Sequence, residues 1–182
     1  MSIASAVPLK PAQTTVRLLA PSDSISELTG LLHRAYARLA AMDLRYMATH
    51  QSEATTQERV DQGECHVAVA EGGLVGTIIF KSAERTGGSA WLDRPEVASL
   101  GQFAVEPGLQ AQGLGGRLLD LVEARALGTG AHEIALDTAE PATHLVQWYS
   151  RRGYRLIEHA QWSHTNYRSV IMSKALRPRE AP

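Results

Sequence analysis

Gln110-Ala111-Gln112-Gly113-Leu114-Gly115-Gly116 is the stretch that decides how the rest of the chain is read. An apolar run, Ser99-Leu100-Gly101-Gln102-Phe103-Ala104-Val105, precedes it across the turn Glu106-Pro107-Gly108. An amphipathic stretch from Leu114 to Leu127 follows it. Strand, glycine-rich turn and helix together present free backbone N–H groups to a phosphate. The first N–H groups of a helix lack intrahelical partners, and the helix dipole adds partial positive charge there. Gly113, Gly115 and Gly116 carry no side chain to hold a pyrophosphate away. Arg117 adds a full charge if it turns toward the loop. The third glycine of a dinucleotide fingerprint would fall on Leu118, and no Gly-Lys-Ser/Thr follows to make a P-loop. From these residues alone, a tight turn with no ligand remains the competing explanation.

The chain has 182 residues, enough for one domain with a substantial core. Apolar residues make up 44%, charged residues 20%, and the formal net charge is −1, as in ordinary globular proteins. No basic run points to nucleic acid. No apolar run reaches the about 20 residues that span a bilayer. Residues Met1 to Thr14 lack the charged-then-apolar layout of a secretory signal and read as a loose arm, and Arg177 to Pro182 read as a tail. Cys65 is the single cysteine, so no intrachain disulfide forms, and a cytoplasmic compartment is expected. The histidines show no ligand spacing, so no metal site is expected.

Periodicity divides residues 15–176 into one domain. Thr15–Leu19 reads as a short strand. Ser24-Ile25-Ser26-Glu27 has the capping-box pattern, and Ile25, Leu28, Leu31, Leu32, Ala35, Tyr36 and Leu39 recur at helical spacing. Asp43–Gln51 reads as loop and Ser52–Gln62 as a more polar helix. Cys65, Val67 and Val69 alternate in a strand that turns at Glu71-Gly72-Gly73 into an apolar strand, Leu74–Phe80. Lys81–Pro95 reads as loop, Val97–Val105 as strand, and Leu114–Leu127 as a helix stopped by Gly128 or Gly130. Glu133–Asp137, Tyr154–His159 and Tyr167–Ser173 read as strands, and Ala142–Arg152 as a helix closed by Gly153. The expected architecture is α/β (α+β): a mixed sheet of about seven strands with about four helices.

The glycine loop and this element order resemble the GNAT superfamily of N-acetyltransferases, over nearly the whole described span. The loop is similar to the family's Gln/Arg-x-x-Gly-x-Gly/Ala motif for the pyrophosphate of acyl-CoA. Leu145-Val146-Gln147-Trp148-Tyr149-Ser150-Arg151-Arg152-Gly153-Tyr154 is similar to its (Leu/Phe)-Tyr-x-x-x-Gly-(Phe/Tyr) signature, with Trp148 where Leu or Phe is usual. The resemblance implies a GNAT fold with a splayed gap in the sheet. It also implies acetyl-CoA as co-substrate on Phe103, Ala104, Val105, Gln110, Ala111, Gln112, Gly113, Leu114, Gly115, Gly116 and Arg117. Main-chain N–H groups of Phe103 or Val105 would receive the oxyanion, with Ala104 facing the other way. Tyr149 would be the general acid for the leaving thiolate, against the alternative of a core aromatic. Strand parity would set Ser99, Gly101, Phe103 and Val105 on one face.

The chain departs from the pattern in two places. The Asn expected seven residues before the tyrosine is Ala142, with His144 or Thr143 as stand-ins. The glutamate some members use as base falls on Ser99. Glu96, acting through a water on Ser99, is then a candidate base, with His159 and His164 as alternatives. Tyr36, Met42, Asp43, Arg45, Tyr46, Trp162 and His164 are candidate lining residues for a small-molecule or peptide amine acceptor. Homodimers are common in the family, so a homodimer is compatible. The expected activity is direct transfer of an acetyl group to an unidentified amine. Two rivals stand beside it: a non-catalytic acyl-CoA-binding or regulatory domain of the same fold, and an unrelated nucleotide binder.

Overall fold

The computed structural model describes residues 14–176; of the arm expected over 1–14 only Thr14 is described, and the tail 177–182 lies outside the described residues. In chain order the elements are β1 (Thr15–Leu18), α1 (Ile25–Ala41), α2 (Glu53–Asp61), β2 (Glu64–Ala70), β3 (Gly73–Lys81) and β4 (Val97–Val105). They continue with α3 (Leu114–Gly128), β5 (Glu133–Ala139), α4 (Thr143–Arg151), β6 (Arg155–Ala160) and β7 (Ser169–Ala175). The strands form one sheet in the order β1-β2-β3-β4-β5-β7-β6. Every neighbouring pair is antiparallel except β4 and β5, which run parallel, so the sheet is mixed as expected.

Local chemistry explains the element ends. Ser24 Oγ accepts from Glu27 N (3.1 Å) and caps α1. The Glu27 carboxylate reaches away from the cap, however, and accepts from Leu74 N (2.6 Å) at the β2–β3 turn. Ser52 caps α2 in the same way through Thr55 N. Gly130 (φ 84°) and Gly153 (φ 90°) supply the left-handed residues after α3 and α4. The sequence reading ends β5 two residues early, because Thr138 and Ala139 look like turn residues yet pair with β7.

The helices cover both faces. Leu114, Leu118, Leu119, Val122 and Ala126 of α3 are buried against Ala68, Ile78, Phe80, Ala98 and Leu100, in the same core as Tyr149 and Tyr154. Fully burying each such leucine contributes about 1.5–3 kcal/mol, which fixes the start of α3 firmly on the sheet. Leu28, Leu31 and Leu32 of α1 pack the opposite face with Val67, Leu74, Ile79 and Ala104.

Strand β4 pairs with β5 only through Val97–Ser99, opposite Glu133–Ala135. Beyond Ser99 the two strands separate. A β-bulge coincides with the parting: Thr77 pairs with Ala104 and Ile79 with Gly101, so Gln102 and Phe103 together oppose Ile78. Gln102 takes a φ of 48°, in the left-handed region. The extra residue reverses strand parity and corrects the single-face expectation. Ala98 and Leu100 face α3 before the bulge. Phe103 and Val105 do so after it, where a Cβ on Gly115 would meet both. Ser99 and Gly101 face the other way, toward Thr86 and Arg59.

Asp23 ties β1 to α1. It accepts from Arg17 Nη1 (2.6 Å) and Nη2 (2.9 Å) and from Ala20 N (2.7 Å). The Arg17 hydrogen bonds lower its pKa from the ordinary 3.8 to about 2. A carboxyl whose pKa is depressed by folding stabilises the fold above its unfolded pKa and loses that contribution as pH falls through the folded one. Asp23→Asn is therefore expected to be less stable than the parent near pH 6. The difference should close between about pH 4 and pH 2 in urea unfolding curves.

Candidate active site

The parting of β4 and β5 opens a cleft of about 620 Å³. Its walls bring together most of the residues singled out from the sequence. Phe103, Ala104, Val105, Gln110, Ala111, Gly113, Gly115, Gly116 and Tyr149 line it, as do Tyr36, Tyr46 and His164. Several expected residues stand elsewhere, and Met42, Asp43 and Arg45 line neither this cleft nor the smaller cavity beside it. Leu114 is 1% exposed and belongs to the core under α3. The Gln112 side chain donates to Gly108 O (3.0 Å), and Arg117 Nη2 donates to Thr14 O (3.2 Å). Trp162 lines a smaller adjoining cavity. Glu96 lines neither cavity: it lies at the closed end, where β4 still pairs with β5, and accepts from Arg94 Nε (2.8 Å).

The glycine loop is shaped by backbone conformation. Ala111 (φ 59°) and Gly113 (φ 89°) are left-handed, and Gly113 caps α3 with no side chain over the first helical amides. Gln110 braces the loop by donating from Nε2 to Val105 O (3.0 Å). The cation at this helix start comes from α4, not from Arg117. Arg152 lines the cleft, stacks on Trp148 (5.3 Å to the ring centroid) and donates to Asp120 Oδ1 (2.5 Å). A Cβ on Gly116 would lie 3.1 Å from Arg152 Nη1, so the glycine lets the guanidinium rest on the helix. Arg152 Nε is buried without a hydrogen-bond partner among the described residues.

The edge of β4 that faces the gap can be identified. Glu106 N donates to Val75 O (2.8 Å) on the β3 side. Alternation then turns Ala104 toward β3 and the main-chain groups of Phe103 and Val105 toward the gap. Consistently, Phe103 O is taken by the Tyr36 hydroxyl from α1 (3.0 Å). Tyr46 O–H is used in the structure itself, bonded with Thr138 Oγ1 and accepting from Ala139 N (both 2.8 Å).

Tyr149 is 8% exposed and packs edge-on against Trp148 and Tyr154. Among the described residues no hydrogen bond engages its hydroxyl, which distinguishes it from Tyr36 and Tyr46. Burial raises its pKa well above the ordinary phenol value, so it stays protonated at neutral pH. Ala142, in place of the family's Asn, is fully buried against Leu39, Leu44 and Tyr167. His144 lines the cleft two residues on, and burial together with the Arg38 charge lowers its pKa. His159 is turned outward to Glu140 (3.2 Å).

Sequence reasoning passed over Arg59, Gln102, Asp137 and Arg152. Asp137 is the carboxylate in the cleft, and it accepts from Trp162 Nε1 (2.9 Å) and Ser169 Oγ (3.3 Å). Its signal in the chain was a lone charge closing the apolar run Ile134-Ala135-Leu136.

The cleft, the glycine loop at a helix start and the parted strands define an acyl-CoA-dependent acetyltransferase fold. The chain belongs to the Acetyltransferase (GNAT) family, whose sequence pattern matches residues 31–154. It is 26% identical over 141 residues to the S-(2-succino)cysteine N-acetyltransferase of Bacillus subtilis (strain 168), spanning 75% of this chain and 81% of that protein. Its fold matches the ribosomal-protein-S18-alanine N-acetyltransferase from Escherichia coli (TM-score 0.68, 17% identity, 92% of this chain and 96% of that one). It also matches a GNAT family acetyltransferase from Elizabethkingia anophelis with acetyl-CoA bound (TM-score 0.63, 17% identity, 90% and 99%). The protein is an N-acetyltransferase.

Left-handed backbone costs an L-residue about 1–2 kcal/mol, so Gly113→Ala strains the loop even though open space surrounds its Cβ. The loop is expected to relax and raise the Kd for CoA about tenfold by calorimetry. Gly128→Ala, with open space at the far end of α3, should leave it unchanged.

Proposed function

We propose that residues 15–176 act as one catalytic domain in which acetyl-CoA lies between β4 and β5, its pyrophosphate on the amides of Gly113, Gly115 and Gly116 beside Arg152. The single observation that carries this reading is the edge of β4 left unpaired by β5, which runs to a helix start without a side-chain cap and lines the same cleft as Tyr149. The acceptor amine enters from the side of Tyr36, Tyr46 and His164. It sheds one proton before attack, with Asp137 as the nearby carboxylate that favours its approach and receives that proton through solvent. The amine nitrogen then bonds to the thioester carbon. The N–H of Phe103 or Val105 takes the oxyanion, an arrangement that is most effective in a dry, preorganised site. On collapse the C–S bond breaks, and Tyr149 gives its proton to the sulfur. The second proton lost by the nitrogen restores the phenol, so the protons balance.

Glu96 has no part in this scheme, since Arg94 holds it outside the cleft. A positioned general acid contributes about 10²–10⁴-fold. Tyr149→Phe is therefore expected to lower kcat about 100-fold while leaving the Kd for CoA within about twofold. Thiol release from acetyl-CoA across an amine panel, with mass detection of the acetylated product, reads the first; calorimetry reads the second. Unchanged turnover removes Tyr149 from the mechanism.

A further inference from the structure

A second cavity of about 160 Å³ opens beside the cleft, on the face of β4 opposite α3. The two share Arg59, Leu100, Gly101, Gln102 and Asp137. Its charge is unbalanced. Arg59, Lys81 and Arg85 line it, with Asp137 as the carboxylate on its wall. Among the described residues, none of these three cations has a carboxylate within ion-pair distance. Lys81 Nζ donates to the neutral Gln62 side chain (2.7 Å), and Arg85 Nη1 to Asp61 O (3.1 Å). Arg59 lies over Gly101, where a Cβ would come 4.0 Å from Nη2, so the glycine leaves room beside the guanidinium. Burial first, and then the Arg59 charge, lowers the Lys81 pKa.

The bulge supplies a further donor. Gln102 is 3% exposed, and its Oε1 accepts from Gln51 Nε2 (3.0 Å). Its Nε2 is buried with no hydrogen-bond partner among the described residues. A buried donor left unpaired costs free energy that a ligand oxygen restores. Opposite this wall, Trp162 and Ser169 both use Asp137 Oδ2, and Oδ1 makes no hydrogen bond among the described residues.

We infer that the acceptor is an amine that also carries a carboxylate, held in the smaller cavity by Arg59, Lys81 and the Gln102 amide while Asp137 draws the ammonium toward the thioester. A planar carboxylate matches the fork of a guanidinium, and its charge relieves the repulsion between Arg59 and Lys81. The inference rests on the catalytic reading above and names the substrate class for the same site.

The test compares L-methionine and S-carboxymethyl-L-cysteine with analogues in which every carboxylate is a carboxamide. A site built for a hydrogen-bonded group rejects analogues lacking it strongly, so kcat/KM should favour at least one acid over its amide by about 100-fold. Arg59→Gln should remove most of that preference by raising KM for the acid. Calorimetry on the CoA-loaded protein keeps the two claims apart. Binding of the acid, lost in Arg59→Gln, without acetylation upholds the carboxylate site and sinks the catalytic reading. Acetylation of acid and amide at equal rates, or an acid preference that survives in both Arg59→Gln and Lys81→Gln, overturns the inference. So does a preference for phosphoethanolamine over both acids.

Discussion

Strand β4 can pair with β5 only as far as Ser99, and everything the protein does follows from that limit. The bulge at Gln102 inserts one residue opposite Ile78 and turns the strand. Main-chain groups that would otherwise be spent on a ladder are thereby left facing a gap. A folded protein tolerates such a row only where something else occupies it. Tyr36 takes one carbonyl from the α1 side, and in the proposed reading a bound thioester takes up the rest of the edge. The same bulge swaps the faces of the strand. Phe103 and Val105 are sent to the α3 side, and Gly101 and Ser99 to the opposite face. One inserted residue thus builds two rooms with a shared wall.

The rest of the fold holds those rooms in place. The buried leucines of α3 fix its N-terminus beside Val105, so the glycine loop cannot drift from the gap. Gly76 allows this closeness, since a Cβ there would lie 3.1 Å from Leu118 Cδ1. The loop after α1 is pinned to the β6–β7 connection by Asn166, which donates to Asp43 O (2.7 Å) and accepts from Arg45 N (2.9 Å). Asp43 and Arg45 line neither cavity.

Much of this was legible in the chain because it is local. Capping serines, alternating valines and stop glycines each report on a few neighbours, and the elements fell within a residue or two of expectation. The glycine loop and Tyr149 were legible because their spacing survives as a motif. The bulge was not, since an extra residue in a strand changes neither composition nor apolar content. Arg152 was missed for a different reason: it reaches Gly116 from 36 positions away, and its place after α4 is equally well explained by the helix dipole. Glu96 was a candidate by proximity in sequence, yet three residues of strand put it at the closed end of the gap. Asp137 lay in plain view as a charge within a strand, but only the pairing of β5 with β7 shows that it faces the cleft.

Hydrogen exchange with and without CoA tests the central claim most directly. An unpaired strand edge and an uncapped helix start should exchange quickly in the free protein and slowly once a ligand covers them. The account predicts that CoA protects residues 101–105 and 110–117, while β2, β6 and the β2–β3 turn are unaffected. Protection confined to other segments, or none at a concentration that saturates binding, would contradict it.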